Sequence, residues 1–340
     1  MINVGIGGAT GYAGEELIDI LLRHPDVRIT NLSAKIEKPK GISEIFPRFK
    51  GRINLICGSP DIKKITANCD LVFLALPHTV SMELAPGLLK SGKKVIDLSA
   101  DYRLKDTKIY EKFYNIRHKD KLNLSEAVYG LPEIYRNKIK NARLIANPGC
   151  YPTVNILALA PLAAFDLIET GSIIIDAKSG VTGAGRKLAE CLLFSELNED
   201  FKAYKVNAHQ HSPEINQELS KLAGKKISVT FVPHLLPLNR GILSTIYVKK
   251  SQKSKVKSQN LTALYKKFYK KEPFIRIRDE GDFPRLKDVL RTNFCDIGIK
   301  DEASSIIIIA AIDNLLKGAS GQAVQNMNIM YKLPEYTALL

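Results

Sequence analysis

Residues 2–14 limit what this chain can fold into more than any other stretch. Ile2-Asn3-Val4-Gly5-Ile6 is an apolar strand, Gly7-Gly8-Ala9-Thr10-Gly11-Tyr12-Ala13-Gly14 is a glycine-rich turn, and residues 15–23 have the spacing of an amphipathic helix. A first strand that runs through glycines into a first helix belongs to a parallel, doubly wound sheet. There the backbone can close on a pyrophosphate, and the helix N-terminus meets its charge. The match to GxGxxG is loose, so the context of strand before and helix after carries the reading against a tight turn with no ligand. Gly8, Thr10, Gly11, Tyr12, Ala13 and Gly14 are the expected cofactor contacts.

The alternation of strand and helix continues to about residue 149. A second strand over 28–32 ends in Ser33-Ala34-Lys35. A hydroxyl and a lysine stand there in place of an acid for the ribose 2′-hydroxyl; they suit a 2′-phosphate and imply NADP(H), with Ser33 and Lys35 as its contacts. A buried strand over 71–76 stops at Pro77-His78, a helix spans 80–91, and a strand over 94–98 stops at Ser99. Ligands gather at the carboxyl ends of such strands, so Pro77, His78, Ser99 and Arg103 are expected to face a cofactor crevice. The fold class is α/β: a Rossmann-type doubly wound parallel sheet over residues 1–149, then an α+β domain over 150–316 with a mixed or antiparallel sheet. Residues 317–340 hold a helix rich in small and amide side chains, expected to return to the first domain near the cofactor.

At 340 residues the chain exceeds one typical core, which agrees with two domains. Its net charge of +15 is mostly local: nine lysines and no acid lie between Lys249 and Lys271. Without arginines, this segment reads as a solvated loop leading into a helix with Leu261, Leu264, Tyr265 and Phe268 on one face, so neither a nucleic acid nor a membrane is an expected partner. The five cysteines are widely spaced and lack any CxxC, which argues against disulfides and zinc; no metal is expected. With no apolar run near the roughly 20 residues needed to span a bilayer, and a start that goes directly into a strand, a cytoplasmic location is expected.

Near the middle, the apolar run 144–146 is stopped by Asn147-Pro148-Gly149, and the next residue is Cys150. Residues 153–160 read as a buried helix, so Cys150 stands at or just before a helix N-terminus, where the helix dipole favours thiolate over thiol. The other reading is a small buried cysteine in a turn. Beyond it lie strands over 171–177, 227–232, 241–249 and 304–312, a second glycine-rich loop over 178–186, and His209-Gln210-His211. On an extended chain the two histidines would point to one side and could both face a cleft.

Several motifs, in order, resemble N-acetyl-gamma-glutamyl-phosphate reductases, within the wider group that includes aspartate-semialdehyde dehydrogenase. They are Gly8-Ala9-Thr10-Gly11-Tyr12-Ala13-Gly14, Ala75-Leu76-Pro77-His78, Asp97-Leu98-Ser99-Ala100-Asp101-Tyr102-Arg103, Asn147-Pro148-Gly149-Cys150-Tyr151-Pro152-Thr153, Ser179-Gly180-Val181-Thr182-Gly183-Ala184-Gly185-Arg186 and Asp313-Asn314-Leu315-Leu316-Lys317-Gly318. The resemblance implies NADPH-dependent reduction of an acyl phosphate to a semialdehyde through a thioester on Cys150, with release of inorganic phosphate, by a homo-oligomer, dimer or tetramer. It implies His211 as acid and base, with His209 as a substrate-contacting neighbour, although which histidine handles the proton stays open. Arg103, Arg186 and Arg240 end motifs and suit the substrate's carboxylate and phosphate, with Ser179 as a further contact. Asn314, Gly183 and Gly185 are carried over as cofactor contacts. One departure is Gln210, where the family usually has arginine. A carrier-protein-linked aminoadipyl or glutamyl phosphate as substrate, and a non-catalytic dinucleotide sensor, are the alternatives.

Overall fold

The structure is a computed structural model that describes residues 1–251 and 260–340. Much of the lysine-rich loop expected above, residues 252–259, lies outside the described residues. The chain divides into two compact units, one of residues 1–149 with 319–340 and one of residues 150–318.

The first unit is built on β1 (Ile2–Gly7), β2 (Val27–Ser33), β3 (Lys40–Gly41), β4 (Ile56–Gly58), β5 (Leu71–Leu74), β6 (Lys94–Asp97), β7 (Val128–Tyr129) and β8 (Leu144–Ala146). Among the described residues they form one sheet in the order β3-β4-β2-β1-β5-β6-β8-β7. Every pairing from β4 to β7 is parallel, and β3 is an antiparallel edge. All four residues of β5 are buried, which is why that strand reads as an unbroken apolar run: both of its faces are covered. The first helix begins at Tyr12, three residues earlier than its apolar spacing indicates, because Gly11 in an extended conformation serves as its N-cap. The last helix, Gly321–Met330, is buried at every position. Its amides account for this. Asn326 Nδ2 donates to Gly130 O at 2.8 Å and Asn147 Oδ1 at 3.1 Å, and His24 bonds Asn328 at 3.0 Å. Buried polar groups are tolerated when bonded in this way.

The second unit holds β9 (Ile174–Ser179), β10 (Lys202–Ala203), β11 (Thr230–Leu235), β12 (Ile242–Lys249), β13 (Ile275–Ile277), β14 (Cys295–Asp301) and β15 (Ser305–Ile312). Among the described residues the order is β10-β11-β9-β12-β15-β14-β13. It is a mixed sheet: β11–β9 and β13–β14 pair in parallel, the others antiparallel. In β12 buried and less buried residues alternate, the signature of a sheet with one covered face. The helix Cys150–Ala164 packs there, with every residue from Tyr151 to Ala163 buried. Ser244 of β12 donates to Asn155 Oδ1 at 2.6 Å, and the hydroxyls of Tyr265 and Tyr269 reach the carbonyls of Ala158 and Leu157, both at 2.6 Å. Among the described residues no helix is long and apolar enough to cross a membrane.

Candidate active site

In the first unit the glycine turn is shaped by close backbone approach. Gly8 has φ +80°, and a Cβ on it would fall 2.0 Å from Ala75 O; one on Gly14 would fall 2.2 Å from Gly8 O. Neither position admits a side chain. The N–H groups of Gly8 and Ala9 both donate to Ser33 O, at 2.7 and 3.0 Å, which ties the turn to the end of β2. Gly11 gives the first helix no side-chain cap. Ser33 Oγ is buried and bonds nothing among the described residues, and Lys35 lies exposed two positions on. A helix start without a side-chain cap, an unengaged hydroxyl and a nearby ammonium fit a phosphorylated dinucleotide.

The loops after β5 and β6 are knitted together by Asp101. Its carboxylate accepts Thr79 N–H at 2.7 Å, Met82 N–H at 3.0 Å and Tyr110 O–H at 2.7 Å. Thr79 is held at φ +76°, an unusual conformation for a β-branched residue. His78 is half-buried, and its Nδ1 accepts Ala100 N–H at 3.1 Å; Pro77 is exposed. Two of the expected contacts are engaged elsewhere. Ser99 is buried and directs its N–H and Oγ to Asp97, at 2.9 and 2.8 Å, because that wholly buried carboxyl needs donors. Burial, and then the neighbouring Asp101, push the Asp97 carboxyl up to about 7. Arg103 is buried too. Its guanidinium donates to Asn147 O at 2.8 Å and Leu98 O at 2.7 Å, which holds the turn before Pro148 and leaves Arg103 a positioning group rather than an exposed anion contact.

In the second unit Cys150 is the first residue of its helix and is half-buried. A Cβ on Gly318 would stand 2.8 Å from Cys150 Cβ, so Cys150 packs directly on glycine backbone. Asp313 O accepts the Gly318 N–H at 3.0 Å. The Asp313 carboxylate accepts the N–H groups of Arg291, Leu315 and Leu316 and pairs with Arg240 at 3.1 Å. Asn314 accepts Gly241 N–H at 2.7 Å and donates to Thr182 Oγ1 at 2.9 Å. A Cβ on Gly183 would lie 3.7 Å from Ser179 Oγ and 3.9 Å from Asn314 Nδ2, so Ser179, Gly183 and Asn314 do come together. Ser179 is buried and donates to Gly180 O at 2.9 Å. Gly185, at φ +79°, and Arg186 lie on an exposed stretch.

The two histidines meet for a reason other than strand alternation. They lie in a turn, with Ser212 N–H donating to His209 O at 2.9 Å, and His211 is the N-cap residue of the helix Ser212–Ala223. Their ring centroids are 4.7 Å apart. Tyr151, the one aromatic residue of the Cys150 helix, sets its ring edge-on to both, at 5.5 Å from His209 and 6.0 Å from His211. Its hydroxyl lies 3.2 Å from that of Tyr204; burial pushes the Tyr151 phenol far up and that of Tyr204 up to about 12, so both stay neutral. Gln210 accepts Lys205 Nζ at 3.3 Å, which brings a cation to the turn where the resembling family usually carries arginine. Tyr151, Tyr204 and Gly318 were not singled out in the sequence. A lone aromatic beside the cysteine in an aliphatic helix was the available signal for the first.

A glycine-turn dinucleotide unit followed by a unit that opens on a helix-start cysteine is matched, unit by unit, by the semialdehyde dehydrogenases. Residues 3–142 match the family model described as semialdehyde dehydrogenase, NAD binding domain, and residues 150–314 match semialdehyde dehydrogenase, dimerisation domain. The fold is shared with solved structures. Aspartate semialdehyde dehydrogenase II from Vibrio cholerae, complexed with ASA, has TM-score 0.72 and 18% identity over 98% of each chain. The enzyme with NADP from Candida albicans has TM-score 0.72 and 14% identity over 97% of this chain and 98% of that one. Two proteins named N-acetyl-gamma-glutamyl-phosphate reductase, from Desulforamulus reducens and Geotalea daltonii, are each 49% identical over 100% of this chain and 98% of their own length. The chain belongs to the N-acetyl-gamma-glutamyl-phosphate reductase family.

Proposed function

We propose that the chain reduces N-acetyl-L-glutamyl 5-phosphate to N-acetyl-L-glutamate 5-semialdehyde with NADPH, releasing phosphate, as a step of arginine biosynthesis. The observation that carries this reading is Cys150 as the first residue of a 15-residue helix, in a chain 49% identical end to end to relatives of that name. The helix N-terminus favours the thiolate, which attacks the acyl carbonyl. A thioester forms as the carbon–oxygen bond to phosphate breaks. The thiol proton passes to His211 and on to the departing group, which leaves as hydrogen phosphate. Gly8 to Gly14, Ser33 and Lys35 would hold NADPH along the glycine turn, and the bound cofactor would supply the hydride chemistry that takes a thioester to the aldehyde level. While the substrate oxygen is anionic, N–H groups at the start of the Cys150 helix and the His211 imidazole donate to it. Collapse then releases the aldehyde and returns the sulfur as thiolate.

Arg186, Arg240 and Ser179 are assigned to the substrate's carboxylate and phosphate, and Asn314, Gly183, Gly185 and His78 to the cofactor. The relatives' names favour the free N-acetylated substrate over a carrier-linked one. Exposed apolar side chains at Leu188, Leu193, Phe194 and Phe201, within the segment matching a dimerisation domain, support a homo-oligomer. Among the described residues no disulfide joins the five cysteines, which suits the cytoplasm. The test is the reverse reaction: N-acetyl-glutamate semialdehyde, phosphate and NADP should form NADPH in a phosphate-dependent way. Absence of that dependence overturns the reading.

A further inference from the structure

The histidines at 209 and 211 are neighbours in one turn, yet their nitrogen atoms are not equivalent. His209 Nδ1 accepts the backbone N–H of His211 at 3.1 Å. A neutral imidazole that accepts at Nδ1 carries its hydrogen on Nε2, so one nitrogen of His209 is already committed to the backbone. A proton taken up at Nδ1 would break that bond. The ring is also boxed in: Tyr151, Tyr204 and Phe231 stand edge-on to it at 5.5, 5.6 and 5.5 Å, and only 6% of the residue is exposed. A charge formed there would have little water to meet it.

His211 is half-buried, and its backbone is pinned on both sides. Its N–H is held by His209, and its carbonyl accepts Ile215 N–H at 3.1 Å as the first link of the following helix. With that backbone set, the His211 ring lies against His209 and against Tyr151, the residue next to Cys150. The titratable side chains carried by the surrounding elements are Cys150 and Tyr151 from the Cys150 helix, Tyr204 and Lys205 from the turn, Glu214, Glu218 and Lys221 from the following helix, Asp176 and Lys178 from β9, and His234 from β11, which pairs with Asp176 at 3.1 Å.

We infer that His209 is a positioning residue: its Nδ1 fixes the backbone of His211, the proton carrier assigned above, and His209 itself carries no proton in the reaction. This rests on the functional reading above. It also reassigns His209, which the sequence resemblance offers as a substrate contact.

The experiment compares three variants of the full chain. In His209→Asn the amide oxygen can stand where Nδ1 accepts, in His209→Leu no acceptor remains, and His211→Asn removes the proton carrier. kcat and KM of the reverse reaction are measured against pH, together with the pH dependence of Cys150 alkylation by iodoacetamide. His209→Leu should lower kcat by roughly 10²-fold with little change in KM, since a misaimed group costs rate rather than binding, and His209→Asn should recover about tenfold of that. Both should keep the ionisation limb of the wild-type profile, and His211→Asn should lose it. The inference is overturned if His209→Asn is as impaired as His209→Leu, or if it loses the limb. Urea midpoints and NADPH fluorescence check folding; should His209→Leu not fold, the His209→Asn profile decides. If the wild type shows no phosphate-dependent NADPH formation, the functional reading fails separately. The alkylation profiles then still decide the histidine roles, because they need no substrate: a wild-type profile in His209→Asn supports the inference and an altered one overturns it.

Discussion

Around Gly8 the first unit offers backbone, whereas around His209 the second unit offers side chains boxed by rings. In the glycine turn no side chain fits at Gly8 or Gly14, and the helix that follows begins without a side-chain cap. The polar side chains nearby, Asp97, Ser99, Asp101 and Arg103, turn inward to hold loops. In the second unit Cys150, the two histidines, Arg240 and Asn314 are aimed by what packs on them. A backbone site is written as missing Cβ atoms, and a side-chain site as the neighbours that restrict it. The two should therefore fail differently.

The largest expected effect separates them outright. Cys150→Ser should lose turnover by roughly 10⁴-fold or more while NADPH fluorescence titrations stay unchanged, because the thiol proposed as nucleophile is removed and the glycine turn is untouched. Cofactor binding that collapses with the sulfur would break the contrast.

Next come two glycines that play opposite parts. Gly8→Ala meets Ala75 O and an unfavourable φ, so it should weaken NADPH binding and lower stability by about 1–3 kcal/mol by urea melts. Alkylation of Cys150 should keep its rate. Gly318→Ala presses on Cys150 Cβ and should lower kcat by roughly 10²-fold with NADPH binding retained. Exchange of these phenotypes would undo the assignment of the two sites.

The smallest effect lies in the wall of the first unit. Asp97 has its folded pKa raised to about 7 by burial and by Asp101, so in the folded chain it keeps a proton that the unfolded chain has already released. Its contribution to stability is full below about pH 4, the unfolded value, and declines as pH rises through about 7. Asp97→Asn should flatten that fall between about pH 4 and 7 in denaturant melts. An unaltered pH dependence would show that the proton sits elsewhere.

Much of the first unit was legible because a strand covered on both faces must be apolar throughout, as β5 is, and because a glycine turn at residue 7 has few other uses. Boundaries were less so. The first helix starts at Tyr12, since the extended Gly11, rather than the first apolar repeat, begins it. In the second unit β9 runs over Ile174–Ser179, later than the apolar run suggests, because its pairing with β12 extends to Ser179 opposite Ile242. The histidines were legible as a pair but not as a turn, because a two-residue spacing looks the same in either. Ser99 and Arg103 show the limit most clearly. Both stand at motif ends where a ligand contact is natural, and both are claimed by buried groups, the Asp97 carboxyl and the Asn147 carbonyl, that would otherwise lack partners.

By itself the sequence determined the α/β class, the glycine turn, the helix-start cysteine and the family, since each is carried by local spacing or by ordered motifs. Only the tertiary structure decided which polar side chains remain available for chemistry. That choice depends on which buried donors and acceptors find one another across the fold, and leaving one unmatched costs about as much as a single contact contributes. Spacing along the chain holds no record of that matching.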